Sequence, residues 1–337
     1  YYSLKNVFLI GTALLASSSL IYFSAPVWTW LYVGITIYYL GSRVTCTACT
    51  VTCAGELPNE GRATGRGLCR TLASPVSIVT PMLAAWLISR FGGISVEGIR
   101  PLFAIQALIF AAILVLLLAK MSGGKAHHSP GDRQQVFRRF AQVFQQGPDV
   151  VRLLLVMGLM ELPYTIAQPF MPVYAHDFKG ASEFALGGIA MTSVLVPMVA
   201  SIPVGRLADR YGRKKLLFAI APLPYLANVV LIYAPASGAG SSLSLLLYGL
   251  LFGFNSINMA LASSMAAEIM PQEQMGRWIG VVGLFRGLLG IPAPLMGGLI
   301  WEHVGPQYVF YAAIAIDLCV RLPLLATIQE TLHLSRE

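Results

Sequence analysis

Gly205-Arg206-Leu207-Ala208-Asp209-Arg210-Tyr211-Gly212-Arg213-Lys214-Lys215 sets five cations around a single carboxylate in eleven residues. On either side lies an apolar run, 185–204 before it and 215–234 after it. Each is about 20 residues long, the length an α-helix needs to cross the hydrocarbon core of a bilayer. A polar loop this short between two such runs predicts two antiparallel membrane helices. Gly205 and Gly212 are expected to permit a tight turn and a close helix contact. Asp209, near the end of a span, can accept from an arginine or from the amino terminus of a neighbouring helix. Arg206, Arg210 and Arg213 can make such pairs or meet anionic headgroups.

The same alternation continues in both directions. Ten apolar runs are expected to be helices, at about 5–25, 27–55, 72–91, 101–121, 150–175, 185–204, 215–234, 243–266, 278–300 and 307–327. Membrane strands would be nearer 10 residues long and would alternate in polarity. Of the 337 residues 56% are hydrophobic and 11% charged, and the mean hydropathy is +0.69. A soluble domain carries about 25% charged residues, so the partner this composition implies is a lipid bilayer. The net charge of +8 does not point to nucleic acid, because the cations sit in loops without aromatic residues interleaved on a polar face. Seventeen of the 23 Lys and Arg fall in loops on the side of the amino terminus, and the opposite loops hold Arg90, Arg100 and Lys179. By the positive-inside rule both termini are expected in the cytoplasm. The longest polar stretch, 122–149, reads as a cytoplasmic linker between a four-span bundle, 1–121, and a six-span bundle, 150–337. His127 and His128 lie in it, where a solvated linker outweighs a metal site. Cys46, Cys49 and Cys53 share a helical face among threonines, a pattern that suits close helix packing better than metal or redox chemistry. No cofactor is expected.

The chain also repeats itself. Pro58, Glu60, Gly67, Pro81, the pair Ala84-Ala85 and Gly92 recur as Pro271, Glu273, Gly280, Pro294, Gly297-Gly298 and Gly305, every one 213 residues further on. Two similar halves with a binding site between them near mid-membrane are a recurring transporter design. The later half has four spans before Glu268 and the earlier only two before Glu56, so two further helices are expected before Tyr1.

With its loop, linker and repeat, the chain resembles the major facilitator superfamily. The stretch 205–215 is similar to that family's cytoplasmic signature, written G-x-L-a-D-r-x-G-r-[RK]-x. Glu56-Leu57-Pro58 and Glu268-Ile269-Met270-Pro271 look like the loops after family helices four and ten. Thr80-Pro81-Met82-Leu83-Ala84-Ala85 and Ala293-Pro294-Leu295-Met296-Gly297-Gly298 resemble an antiporter element, G-P-x-x-G-G; the first copy replaces all three glycines and the second only one. Arg43 matches the arginine of a helix-four motif, although Cys46-Thr47 stands where Gln-Gly is expected. The resemblance implies an all-α polytopic membrane protein, a two-bundle fold with ten of twelve spans, expected to be a monomer in the plasma membrane. It implies alternating-access transport of a small molecule, with proton-coupled drug efflux first. An uptake carrier for a sugar or organic acid and a transporter-derived receptor or scaffold are the alternatives. Gly205, Arg206, Asp209, Arg210, Gly212 and Arg213 would form a gating loop, since topology alone needs no carboxylate there. There is no G-x-x-x-x-G-K-[ST] for ATP, and the scattered histidines give no enzyme site.

Ionisable groups inside a span are costly and are functional candidates by default. At 1.5 Å per residue, Arg43 lies about 19 Å along its helix from Glu56, Glu161 about 17 Å from Val150 and Asp317 about 15 Å from Gln307. Arg286 is somewhat shallower. Asp317 and Arg321, four apart, can neutralise each other. Glu161 has no opposite charge one turn away on its own helix, which makes it the candidate for carrying a proton. Pro163, Pro169 and Pro172 are expected to break that helix, and broken helices line cavities. Gln168, Asn255 and Asn258 either line the same space or join helices.

Overall fold

The computed structural model describes residues 4–27, 29–56, 62–121, 148–236, 238–269, 275–290 and 292–328. Pro58, Glu60, Pro271, Glu273, His127, His128 and most of the expected linker lie outside them, as do the side chains of Cys53 and Cys69. The described residues are helical throughout, with no strand. They divide into two compact units, Tyr1–Pro130 and Gly131–Glu337.

The first unit contains α1 (Leu4–Ser24), α2 (Thr29–Glu56), α3 (Arg62–Arg90) and α4 (Val96–Lys120). Helix α1 packs along α2 and α4, and α3 joins α4. The α1–α2 seam is made of small residues. A Cβ at Gly41 would lie 3.0 Å from the carbonyl oxygen of Gly11, so the two backbones touch where glycines face. Helices α1 and α4 are tied at both ends: Lys5 Nζ donates to the Leu118 carbonyl at 2.9 Å and Arg100 Nη2 to that of Ala25 at 2.6 Å. Cations thus satisfy carbonyls left over at helix carboxy termini. Ser95 caps α4, its hydroxyl accepting from Gly98 N at 3.0 Å.

The second unit begins with one interrupted span: α5 (Pro148–Leu159), α6 (Glu161–Ala167), a 3₁₀ turn (Gln168–Phe170) and α7 (Met171–Lys179). Then come α8 (Glu183–Tyr211), α9 (Arg213–Ile220), α10 (Pro222–Tyr233), α11 (Ala239–Ile269), α12 (Met275–Gly290), α13 (Pro292–His303) and α14 (Tyr308–Ile316). A π-helical turn (Asp317–Arg321) leads into α15 (Leu322–Ala326). Eight helical runs among the described residues are long and apolar enough to cross a membrane. The other two expected spans fall on α2, whose second half carries Arg43 and a Thr/Cys-rich face, and on the apolar part of α3, Pro75–Arg90. Leu108, Val115 and Leu116 on α4 and Val199 and Ile202 on α8 are all exposed, an apolar surface suited to lipid rather than water.

The repeat is visible in the elements. Helix α3 spans 62–90, and α12 with α13 spans 275–303, the same limits shifted by 213. Helices α2 and α11 end at Glu56 and Ile269, again 213 apart. Gly92 and Gly305 both turn the chain at positive φ, 107° and 140°. Nothing in the described part of the first unit corresponds to the spans 148–211.

The core of the second unit comes in two parts. One gathers Leu153, Met157, Leu217, Leu261, Trp278 and Leu325; the other Ile166, Ala227, Leu245, Tyr248, Ala293 and Phe310. Along α5–α6 the first gives way to the second between Met160 and Leu162, along α11 between Phe252 and Phe254, and along α14–α15 between Ile316 and Leu322. The unit therefore has a waist between two apolar cores.

Candidate functional site

The irregularities of the helices collect at this waist. The chain breaks at Met160, tightens at Gln168–Phe170, pauses at Ala221 between α9 and α10, and widens into the π turn at Asp317–Arg321. Proline explains two of them. Pro163 and Pro222 lack the N–H that would continue the ladder. A π turn inserts one residue into a helical turn and is frequent at functional sites.

A cavity open to its surroundings occupies the waist. Its polar lining comes from Gln168, Tyr225, Asn228, Asn255, Asn258 and the pair Asp317–Arg321. Its apolar side includes Pro163, Tyr164, Tyr248 and Phe252. The rings form a stack: Tyr164 and Phe252 have centroids 6.0 Å apart and planes 20° apart, Tyr248 and Phe252 5.4 Å and 15°.

Asp317 and Arg321 are buried, with 6% and 3% of their surface exposed. The guanidinium grips the carboxylate as a fork, Nε on Oδ1 and Nη2 on Oδ2, the second at 2.6 Å. Tyr225 from α10 donates its hydroxyl proton to Oδ2 and accepts from Arg321 Nη2 at 3.1 Å. Three atoms stay buried without a hydrogen-bond partner: Arg321 Nη1, Asn258 Oδ1 and Gln168 Oε1. An unsatisfied buried polar group costs about 1–3 kcal/mol, so this waist is less stable than an apolar one of the same shape.

Glu161 and Arg286 form a pair outside the lining of this cavity. Glu161 has no opposite charge one turn away on its own helix, and its partner comes from another helix. Arg286, on α12, places Nη1 3.5 Å from its Oε1 and donates Nε to the Met157 carbonyl at 3.1 Å, one turn before the break in the helix. The pairing joins helices far apart in sequence, which a search along one helix does not reveal. Of the expected intramembrane groups, then, Gln168, Asn255, Asn258, Asp317 and Arg321 share one cavity, and Glu161 and Arg286 form a second pair beside it. Arg43 belongs to the first unit, exposed on α2. Sequence reasoning missed Tyr225 and Asn228. The signal available was a polar pair inside the proline-interrupted run Pro222-Leu-Pro-Tyr-Leu-Ala-Asn228.

The 205–215 loop lies at one end of the second unit. Gly212 turns the chain between α8 and α9 at φ 103° and ψ 141°, a conformation that favours glycine. Gly205 does not take part in that turn. It lies inside α8, and a Cβ there would meet no atom within 4 Å. Arg213 pairs with Asp209 at 3.1 Å, one turn back, and with Glu268 at the end of α11. Lys214 donates to the carbonyls of Ala326 and Ile328 at 2.8 and 2.5 Å. Arg210 covers the ring of Tyr211, and Arg206 is exposed. One loop thus holds the ends of α8, α11 and α15.

The family model described as Major Facilitator Superfamily matches residues 153–328. Among curated proteins, the uncharacterized MFS-type transporter YuxJ of Bacillus subtilis (strain 168) is 25% identical over 245 residues, covering 70% of this chain and 58% of its own. The class E tetracycline resistance protein of Escherichia coli is 29% identical over 168 residues, 49% of this chain and 40% of that one. Multidrug resistance protein 3 of Bacillus subtilis (strain 168) is 25% identical over 178 residues, 50% and 31%. The chain spans about half the length of the curated relatives it matches. Among solved structures, the nucleoside transporter NupG superposes with a TM-score of 0.75 at 16% identity, over 98% of this chain and 84% of that one. A POT family transporter in complex with 5-aminolevulinic acid gives 0.73 at 12%, over 98% and 83%. At these identities the two structures speak to the fold alone.

Proposed function

The chain belongs to the major facilitator superfamily, and from that premise we propose that it moves a small molecule across a membrane by alternating access, through the waist cavity of its second unit. It is an integral membrane protein, with eight helices able to span. The observation that carries the reading is the polar cavity between two apolar cores. A bundle built only for stability would fill that level with Leu and Phe. This one keeps an ion pair, four amide side chains and three unsatisfied polar atoms there.

Within that reading the proposed activity is export of drug-like compounds in exchange for protons. The tetracycline and multidrug resistance proteins among the relatives support it. Glu161 is the proposed proton carrier. Its pair with Arg286 is partly exposed, at 26% and 21% of the two side chains, whereas Asp317 and Arg321 are locked by a fork and a tyrosine. A carboxylate that trades an arginine for a proton couples two events at one atom. The loop Gly205–Lys215 is the proposed gate, Arg213 being shared between Asp209 and Glu268. The protein is proposed to act as a monomer in the plasma membrane with both termini in the cytoplasm.

Proteoliposomes of the whole protein with an acidic lumen test this directly. An uncharged drug such as chloramphenicol should accumulate inside beyond the level of protein-free vesicles, and a protonophore should release it. Accumulation indifferent to the pH gradient overturns proton coupling. Binding without flux overturns transport and favours a receptor or scaffold.

A further inference from the structure

We infer that the waist cavity takes an uncharged, flat compound bearing both hydrogen-bond donors and acceptors, and rejects cations and carboxylates of the same shape. The inference rests on the cavity being the substrate site, and three observations carry it. The first is charge. Among the described residues, Asp317 and Arg321 are the ionic groups lining the cavity, and each already answers the other. Tyr225 takes up part of what remains of the carboxylate. Glu161 and Arg286, outside the lining, form a second neutral pair. An ion entering here would lose its hydration and meet no uncommitted counter-charge among the described lining residues of this unit, a transfer that disfavours it.

The second is the polar inventory. Arg321 Nη1 is a donor without a partner, while Asn258 Oδ1 and Gln168 Oε1 are acceptors without one. Arg321 and Asn258 are each at least nine-tenths buried. Such a set is completed by a ligand with hydroxyl or amide groups, which donate and accept, and not by a group that does only one. The third is shape. The near-parallel rings of Tyr248, Phe252 and Tyr164 offer a stacking face on which an aromatic ring continues the series. Ring faces also attract cations. A desolvated cation needs a carboxylate as well, however, and Asp317 already accepts from Arg321 and Tyr225.

The test uses one ring system in three charge states: naphthamide, naphthoate and naphthyltrimethylammonium, titrated calorimetrically into the purified chain in detergent. Naphthamide should bind roughly ten-fold or more tightly than either ion. Asn258→Leu should weaken naphthamide about ten-fold, while leaving the melting temperature unchanged or raised, because it replaces an unsatisfied polar atom with an apolar group. Equal or tighter binding of either ion overturns the inference, as does the absence of binding by all three or an unaltered naphthamide affinity in Asn258→Leu. The transport reading fails separately. Selective naphthamide binding with no flux of any compound would keep this inference and remove transport. Flux with tight naphthoate binding would do the reverse.

Discussion

Asp317 and Arg321 are four residues apart, and their spacing alone announces that they can pair. The structure adds Tyr225 from another helix and the π turn that carries the two. Removing one partner of a buried pair strands the other. Asp317→Ala should therefore lower stability by about 3–5 kcal/mol, read as a fall in melting temperature in detergent. The double change Asp317→Leu with Arg321→Met should recover most of that loss, because neither charge is then buried alone. A double variant as unstable as the single one would show that the pair's role is not electrostatic. Glu161 asks a different question. Glu161→Gln keeps the shape of the side chain and part of its bonding to Arg286, but cannot release a proton. If Glu161 couples transport to protons, this variant should lose accumulation driven by a pH gradient while retaining substrate binding and exchange. Wild-type accumulation in Glu161→Gln would move the coupling role to Asp317. That these four charges lie within helical runs was legible in the sequence. Which cation meets Glu161 was not, because the partner lies on a helix brought alongside only by folding.

Helices were read from apolar runs, and interruptions and turns from proline and glycine; the second reading succeeds where those residues act. Pro163 and Pro169 mark the interrupted first span of the second unit, and Gly212 the turn of the signature loop. It falls short at the π turn, which holds neither residue, and at Gly205, where a glycine inside α8 marks no turn. The two kinds of glycine behave oppositely on substitution. A Cβ at Gly253 would lie 2.8 Å from the Ser193 carbonyl and 2.7 Å from Val196 Cβ, and one at Gly249 2.6 Å from the Ile189 carbonyl. These two glycines, one turn apart, let α11 lie against α8. Gly253→Val should push the helices apart and cost about 1–3 kcal/mol. Gly205→Ala meets open space and should raise stability by roughly 0.5–1 kcal/mol. Thermal unfolding of both variants checks the contrast, and equal effects would refute the seam. Asp209→Asn belongs to the same element. Asp209 is largely exposed, at 69% of its side chain, and its pair with Arg213 lies within one turn. Such a pair contributes only about 0.2–1 kcal/mol, so expression and membrane insertion should stay intact. A loss of transport in Asp209→Asn would then reflect gating, and unchanged transport would leave the loop a topological role.

At the scale of the whole chain, the 213-residue repeat was legible from a handful of prolines and glycines, and the ends of α2 and α3 recur at that spacing. The cavity was only partly legible, because asparagine and tyrosine inside a span read equally well as joints between helices. Topology is the remaining question, and the structure reduces it to one choice per unit. In the first unit Lys5 holds the end of α4, so the start of α1 and the end of α4 share a face; Arg100 and Ala25 mark the other. In the second, Asp209, Glu268, Lys214 and Ala326 gather at one face, while Lys179 ties its own helix end to the carbonyls of Ile232 and Ala234 at the opposite one. Cations decide which face is which. Counted along the ten spans expected from the sequence, the loops on the side of the amino terminus carry 17 of the 23 Lys and Arg, and the opposite loops carry Arg90, Arg100 and Lys179. Retaining a basic loop in the cytoplasm is the stronger tendency for loops this short, so both units should present the basic face inward. Fluorescent protein fused after Glu337 should therefore fold and fluoresce. Alkaline phosphatase, which works only after export, should be active when fused at Gly93 or Gly180 and silent after Glu337. An active phosphatase at Glu337 would invert the second unit. The gate assigned to residues 205–215 would then close the path from the outside.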